Sequence, residues 1–253
     1  MRKVSILLFV MLLPVANVLS QQNAGQGGSI EQAAYIDQVR SEVGRKNVLM
    51  LHAGDFSQGT SYFTELKGQM EIDLLNAMGY DAVSLGNHEF DNGLEVLAGR
   101  LARLDADVVC ANYDFSATPL KKYVKPYVII RRAGLKIGII GLLPDLADVV
   151  DVKVASQISF QDPIASTQRY ATFLKEKKKC DLVICLSHLG FDGPVNSDEA
   201  LAKGTRDIDI IVGGHSHTKL KDKAVFTDLD GEEVVVVTDW KWGMRVGRLD
   251  VEM

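Results

Sequence analysis

The 253-residue sequence predicts a mixed α/β domain, on three observations. Apolar runs of strand length alternate with amphipathic helical stretches, turn signals pair several strands as hairpins, and no repeat or low-complexity linker divides the chain. Strands that alternate with helices and are interrupted by hairpins form a mixed sheet or sandwich with helices outside. The length suits one large domain better than two.

The first twenty residues stand apart. Arg2 and Lys3 form a positive head, Ser5 to Leu19 run almost wholly apolar, and Val18 and Ser20 precede Gln21 at the small-residue places of a cleavage site. The pattern predicts a signal peptide over 1–20 and an exported, periplasmic or extracellular protein. A buried first strand is the competing reading. The run is shorter than the roughly 20 residues a membrane-spanning helix needs, so no stable membrane insertion is expected.

After a Gln-, Asn- and Gly-rich stretch, Ser29 is read as the cap of a helix in which Ile30, Ala33, Ile36, Val39 and Val43 share a face until Gly44. Val48 to Leu51 is the next strand, ending at Gly54 and Asp55. A helix over about Met70 to Met78 follows, then a strand over Ala82 to Leu85. Leu94, Leu97, Leu101 and Leu104 line one helix face before the strand Val108 to Ala111. Tyr127 to Arg131 and Lys136 to Leu142 flank an Ala-Gly turn as a hairpin. Asp162 with Pro163 opens a helix to about Lys177. Strands Leu182 to Leu186 and Ile208 to Val212 enclose a short helix. Ala224 to Thr227 and Glu233 to Thr238 flank Leu-Asp-Gly, and Val246 to Val251 alternates as a last strand.

A net charge of −5 without a basic run excludes the electrostatic footprint of a polymeric nucleic-acid partner. Cys110, Cys180 and Cys185 are too few for a disulfide framework, and Cys110 and Cys185, inside apolar runs, read as small buried side chains.

Histidine placement carries the chemistry. Of five histidines, four lie where an apolar strand has just given out: His88 in LGNHEFD, His188 in CLSHLG, and His215 and His217 in VGGHSHT. Asp55 in LHAGD sits in the same kind of place. Strand carboxyl ends gather ligands in open α/β sheets, so these residues are expected on one rim. Imidazole and carboxylate suit zinc, manganese or iron, and a set without thiolate argues against a closed structural zinc site. His52 falls mid-strand on the face opposite to Asp55 and is assigned to packing.

At these residues the sequence resembles the calcineurin-like metallophosphoesterase domain of bacterial 5′-nucleotidases, UDP-sugar hydrolases and cyclic-nucleotide phosphodiesterases. The resemblance runs through LHAGDFSQGTSYF, MGYDAVSLGNHEFDNG, VVCANYDF, CDLVICLSHLG, DIDIIVGGHSHT and GRLDVEM. It implies a four-layer α/β/β/α sandwich with mixed sheets. It also implies hydrolysis of phosphate esters, nucleotides foremost, in nucleotide catabolism. Two divalent ions are implied, zinc, manganese or similar, with Asp55 bridging them. Asn87, His188 and His215 would complete one shell and His217 would serve the other. His88 would stabilise or protonate the leaving oxygen, oriented by Asp91.

Two departures shape the expectations. The Asp-x-His pair that ends the first strand in this family has no counterpart here, so the sheet is expected to lack its usual first strand and only one metal site to be well formed. The chain also stops where the metallophosphatase domain, 21–253, closes. The C-terminal domain that selects the nucleoside is expected to be absent or to be supplied by a separate polypeptide. A catalytically impaired metal- or nucleotide-binding module, or part of a longer two-domain nucleotidase, is the competing reading.

Overall fold

The protein is described by a computed structural model over residues 2–9 and 27–253. Two six-stranded sheets face one another. The first has β14 (Gly247–Glu252), β1 (Lys3–Phe9), β2 (Val48–His52), β3 (Ala82–Ser84), β4 (Asp107–Val109) and β6 (Val124–Lys125) in that order. In the second the order is β12 (Ala224–Thr227), β13 (Glu233–Val237), β11 (Ile210–Gly213), β10 (Leu182–Ser187), β8 (Leu135–Leu142) and β7 (Tyr127–Arg132). Tyr113–Asp114 (β5) and Ser159–Phe160 (β9) pair separately.

Side-chain alternation explains the layering. In β2, Leu49 and Leu51 point between the sheets with Ile137, Ile139, Ile184 and Leu186 of the second sheet. Val48 and Met50 point the other way, against the helices Ser29–Val43, Gln69–Met78 and Leu94–Leu101. In β10, Val183 and Cys185 turn outward to the helices Pro163–Thr172 and Asp198–Gly204. Strands buried on both faces read as continuous apolar runs, and helices cover each outer face, giving the α/β/β/α sandwich.

Some local expectations change. The reading of 1–20 as a leader lies mostly outside the described residues. Within them, Lys3–Phe9 is an inner strand, parallel to β2 and antiparallel to β14. The expected lack of a first strand is therefore corrected. Val4 and Ile6 enter the apolar layer between the sheets, while Ser5 on the other face donates a hydrogen bond to Asp250. A continuous apolar run fits a sheet slot buried on both faces as well as it fits a leader, so pattern alone does not separate the two.

Gly28, not Ser29, caps the first helix, and its buried residues are Gln32, Ile36 and Val39 while Ile30 is 81% exposed. The helix from Pro163 runs on to Lys177 through a π-helical last turn, Phe173–Lys177. All three cysteines are buried free thiols.

Candidate metal centre

Four strand ends build the site. Parallel β2 and β3 of one sheet lead to Asp55 and Asn87, and parallel β10 and β11 of the other lead to His188 and His215. Asp55 is 3% exposed, Asn87 5%, and His188 fully buried. One ligand atom from each of Asp55, His188 and His215 falls within 4.8 Å of the others. Asn87 joins them through its Oδ1, 3.1 Å from His215 Nδ1.

Glycines allow the two loops of the first sheet to touch. A Cβ on Gly54 would lie 2.5 Å from the Leu85 carbonyl, and one on Gly86 would lie 2.2 Å from Asp55 Oδ1. Gly54, at φ 90°, turns the chain so that Asp55, itself left-handed at φ 55°, faces the rim.

The imidazole of His188 is fixed by its neighbours. Nδ1 lies 2.6 Å from the Ala53 carbonyl, which accepts from it and so leaves Nε2 with its lone pair toward Asp55. That Nε2 sits 2.9 Å from Asp55 Oδ2, an ion pair when the ring is protonated. Two acceptors facing each other at such a distance need a cation between them, a proton or a metal ion. Burial opposes both charges, but His188 holds Asp55 well below the usual carboxylate range, and Asp55 in turn raises His188. His215 is pushed down to about 4, first by burial and then by His188, so it is a neutral donor at physiological pH.

His88 stands on the open side. Its backbone N–H donates to Asp55 Oδ1 at 2.9 Å, and its Nδ1 lies 3.0 Å from Asp91 Oδ2. That hydrogen bond raises the His88 pKa, against partial burial. With Nδ1 held by Asp91, Nε2 is presented outward. His217 does not join the three-residue group: it lies on the exposed rim after β11, with φ 54°. His52 packs edge-on to Phe56 and near Tyr80, and burial pushes it down to about 3.

Sequence reasoning overlooks Glu89. Its fully buried carboxylate accepts from the backbone N–H of Gly86 (2.6 Å), Asp55 (2.8 Å) and Ser57 (2.9 Å), tying together the loops that carry Asp55 and Asn87. Burial, then the Asp55 charge, pushes it up to about 7. The only signal in the sequence is a lone carboxylate inside GNHEFD, one residue before the buried Phe90. Asp198 escapes in the same way. It is fully buried, pushed up to about 7 by burial, and lies against the α-carbon of Gly213 at the end of β11.

The chain is 35% identical over 243 residues to a probable 5′-nucleotidase of Treponema pallidum, covering 90% of this chain and 40% of that protein. Among solved structures, a 5′-nucleotidase precursor from Thermus thermophilus superposes with a TM-score of 0.88 at 33% identity, over 99% of this chain and 51% of that one. The calcineurin-like phosphoesterase YfkN from Bacillus subtilis gives 0.77 at 27%, over 99% of this chain and 86% of that one. The chain thus spans about half the length, or less, of the two nucleotidases. The calcineurin-like phosphoesterase model matches residues 25–219. That span includes every strand end described above, and the chain belongs to the calcineurin-like phosphoesterase family, whose members are metal-dependent hydrolases of phosphoester bonds.

Proposed function

We propose that the chain hydrolyses phosphate monoesters, nucleotides among them, at a divalent-ion centre held by Asp55, Asn87, His188 and His215. The observation that carries this is the convergence of one ligand atom each from Asp55, His188 and His215 within 4.8 Å of one another, with the buried His188 Nε2 facing Asp55 Oδ2 at 2.9 Å. The donor set of carboxylate, amide oxygen and two imidazoles fits zinc, manganese or iron. Bound there, such an ion supplies Lewis acidity and a hydroxide-like nucleophile near neutral pH. His217 alone, beside the shared Asp55, is assigned to the second ion.

The chain's own groups do the rest. Asp55 stays ionised, and His188 is locked in the Nδ1–H tautomer by Ala53. His88 holds a proton on Nε2, oriented through Nδ1 by Asp91, and delivers it to the leaving oxygen as the P–O bond breaks. Its raised pKa keeps that proton available near neutrality.

Hydrolysis of p-nitrophenyl phosphate and of a nucleoside monophosphate with added manganese tests the reading, alongside His88→Asn. The variant is expected to lose about 10²–10⁴-fold in turnover at unchanged metal content. Parallel loss of metal and activity would make His88 a ligand instead. Absence of turnover in the unaltered protein with manganese or zinc would favour a binding module.

Among the described residues no helix is long and apolar enough to cross a membrane. The positive head and apolar run support export, and β1 sets a condition on it. A leader cut after Ser20 would remove Lys3–Phe9 from between β14 and β2.

A further inference from the structure

The two histidines of the second sheet leave neighbouring strands, and the last paired residues before them are Ser187 of β10 and Gly213 of β11. His188 follows Ser187 directly, and His215 follows Gly213 by two residues, with φ 68°. Where the imidazoles meet therefore depends on how this one rung is held. Backbone supplies one tie beyond the ladder, the Gly214 N–H donating to the Ser187 carbonyl at 2.9 Å.

Asp198 supplies a second tie. Its side chain is fully buried, and a Cβ on Gly213 would lie 2.1 Å from its Oδ2. Gly213 is in the extended backbone of β11, which any residue adopts, so the close approach of the carboxyl, not a turn, requires glycine there. Ser187 is the other contact. Its hydroxyl accepts from the Leu189 N–H at 3.3 Å and keeps its own proton for the Asp198 carboxyl beside it. One carboxyl thus bears on both members of the rung. Ser197 caps the helix Asp198–Gly204 through the Ala200 N–H, so the Asp198 side chain is not engaged in starting its own helix.

Short steps lead from this contact to the ligands. Gly214 packs on His188: a Cβ there would lie 2.9 Å from His188 Nδ1 and 3.0 Å from the Ala53 carbonyl that fixes the ring. The Asp198 N–H donates to the Gly190 carbonyl at 2.8 Å, and a Cβ on Gly190 would lie 3.7 Å from His215 Cδ2. The Phe191 N–H donates to Ser216 Oγ at 3.0 Å, closing the loop after His188 onto the loop that carries His215.

We propose that Asp198 is the positioning residue of the His188–His215 pair: its carboxyl, wedged against Gly213 and Ser187, sets the separation at which the two imidazoles meet a divalent ion. The inference rests on the metal-centre reading above. Groups that orient metal ligands in this way typically change metal affinity by about 10–100-fold when removed.

The test uses the whole chain with Asp198→Ala, Asp198→Asn, Gly213→Ala and the double variant Asp198→Ala/Gly213→Ala. Manganese binding is read from the electron paramagnetic resonance signal of the free ion, and melting from circular dichroism of the same samples. Asp198→Ala should weaken manganese binding about tenfold or more, and Asp198→Asn, which keeps the shape, about threefold or less. Gly213→Ala should reproduce the larger loss. In the double variant the two losses should not add, because the new methyl enters the room the carboxyl has left. In the metal-free protein, the His188 Nδ1–H proton resonance should stay sharp in Asp198→Asn and broaden or vanish in Asp198→Ala. Unchanged manganese binding in Asp198→Ala, a lowered Tm without weaker binding, an asparagine variant as weak as the alanine one, or additive losses overturn the proposal. Failure of the unaltered protein to bind manganese would instead strike the metal-centre reading, and the His188 resonance would still decide whether Asp198 positions the ring.

Discussion

His188 and Asp55 form a pair whose charge state a divalent ion would take over, and this makes the pair visible in stability. Asp55 has a depressed carboxyl, so its contribution is present above the unfolded value of about 3.9 and is lost as pH falls through the lower folded value. His188 has a raised pKa, so its contribution is full below the unfolded value of about 6.5 and is lost as pH rises through the folded one. Glu89 and Asp198, both pushed up to about 7, lose stabilisation as pH rises from about 4 to 7, whereas His52, pushed down to about 3, and His215, pushed down to about 4, gain it up to about pH 6.5, so the two sets offset each other below that pH and leave the His188 loss to dominate above it. The metal-free protein should therefore show its highest Tm between about pH 4 and 6.5 and decline toward pH 8.5. A bound ion replaces the proton between Nε2 and Oδ2 and should remove most of that decline. A metal-free Tm that is flat or rising from pH 6 to 8.5 would contradict the pairing. Both residues are legible in the sequence itself, because a polar side chain placed just after a buried strand has few other purposes.

Loops are less legible than strands, and Glu89 shows why. Its partners are three backbone N–H groups, two of them more than thirty residues away, and no side-chain pattern records a backbone contact of that kind. Glu89→Ala would strand three buried donors, each costing about 1–3 kcal/mol, and would release the Asp55 and Asn87 loops from one another. The expected outcome is a Tm lowered by roughly 10 °C or more together with weakened metal retention. A variant that melts normally and keeps its metal would reduce Glu89 to a bystander. Helix ends are also hard to read. Gly28 occupies the cap position expected for Ser29, and the short helix Ser61–Leu66, capped by Thr60, lacks the length for a periodic signal.

Across the whole molecule the centre exists because two sheets end on one rim, each supplying two of its four side chains. The order of apolar runs makes that architecture readable, since parallel strands buried on both faces leave their carboxyl ends as the natural gathering place. β1 is the element that pattern does not settle. It runs parallel to β2 with Phe9 opposite His52, so the chain leaves it at the same edge from which Asp55 projects. The following residues, 10–26, contain no Asp, Glu, His or Cys. On the proposed assignment, ligand supply at that edge is lopsided: Asp55, Asn87, His188 and His215 for one ion, and Asp55 with His217 for the other. A loosely held second ion cannot fix a nucleophile or share developing charge, so turnover should be low yet metal-dependent. Metal analysis after exhaustive dialysis, made alongside phosphatase kinetics, tests this most directly. The account predicts one retained divalent ion per chain with weak ester hydrolysis, both increased when an Asp-x-His pair is introduced directly after Phe9; two tightly retained ions with full activity in the unaltered chain, or no retained ion at all, would contradict it.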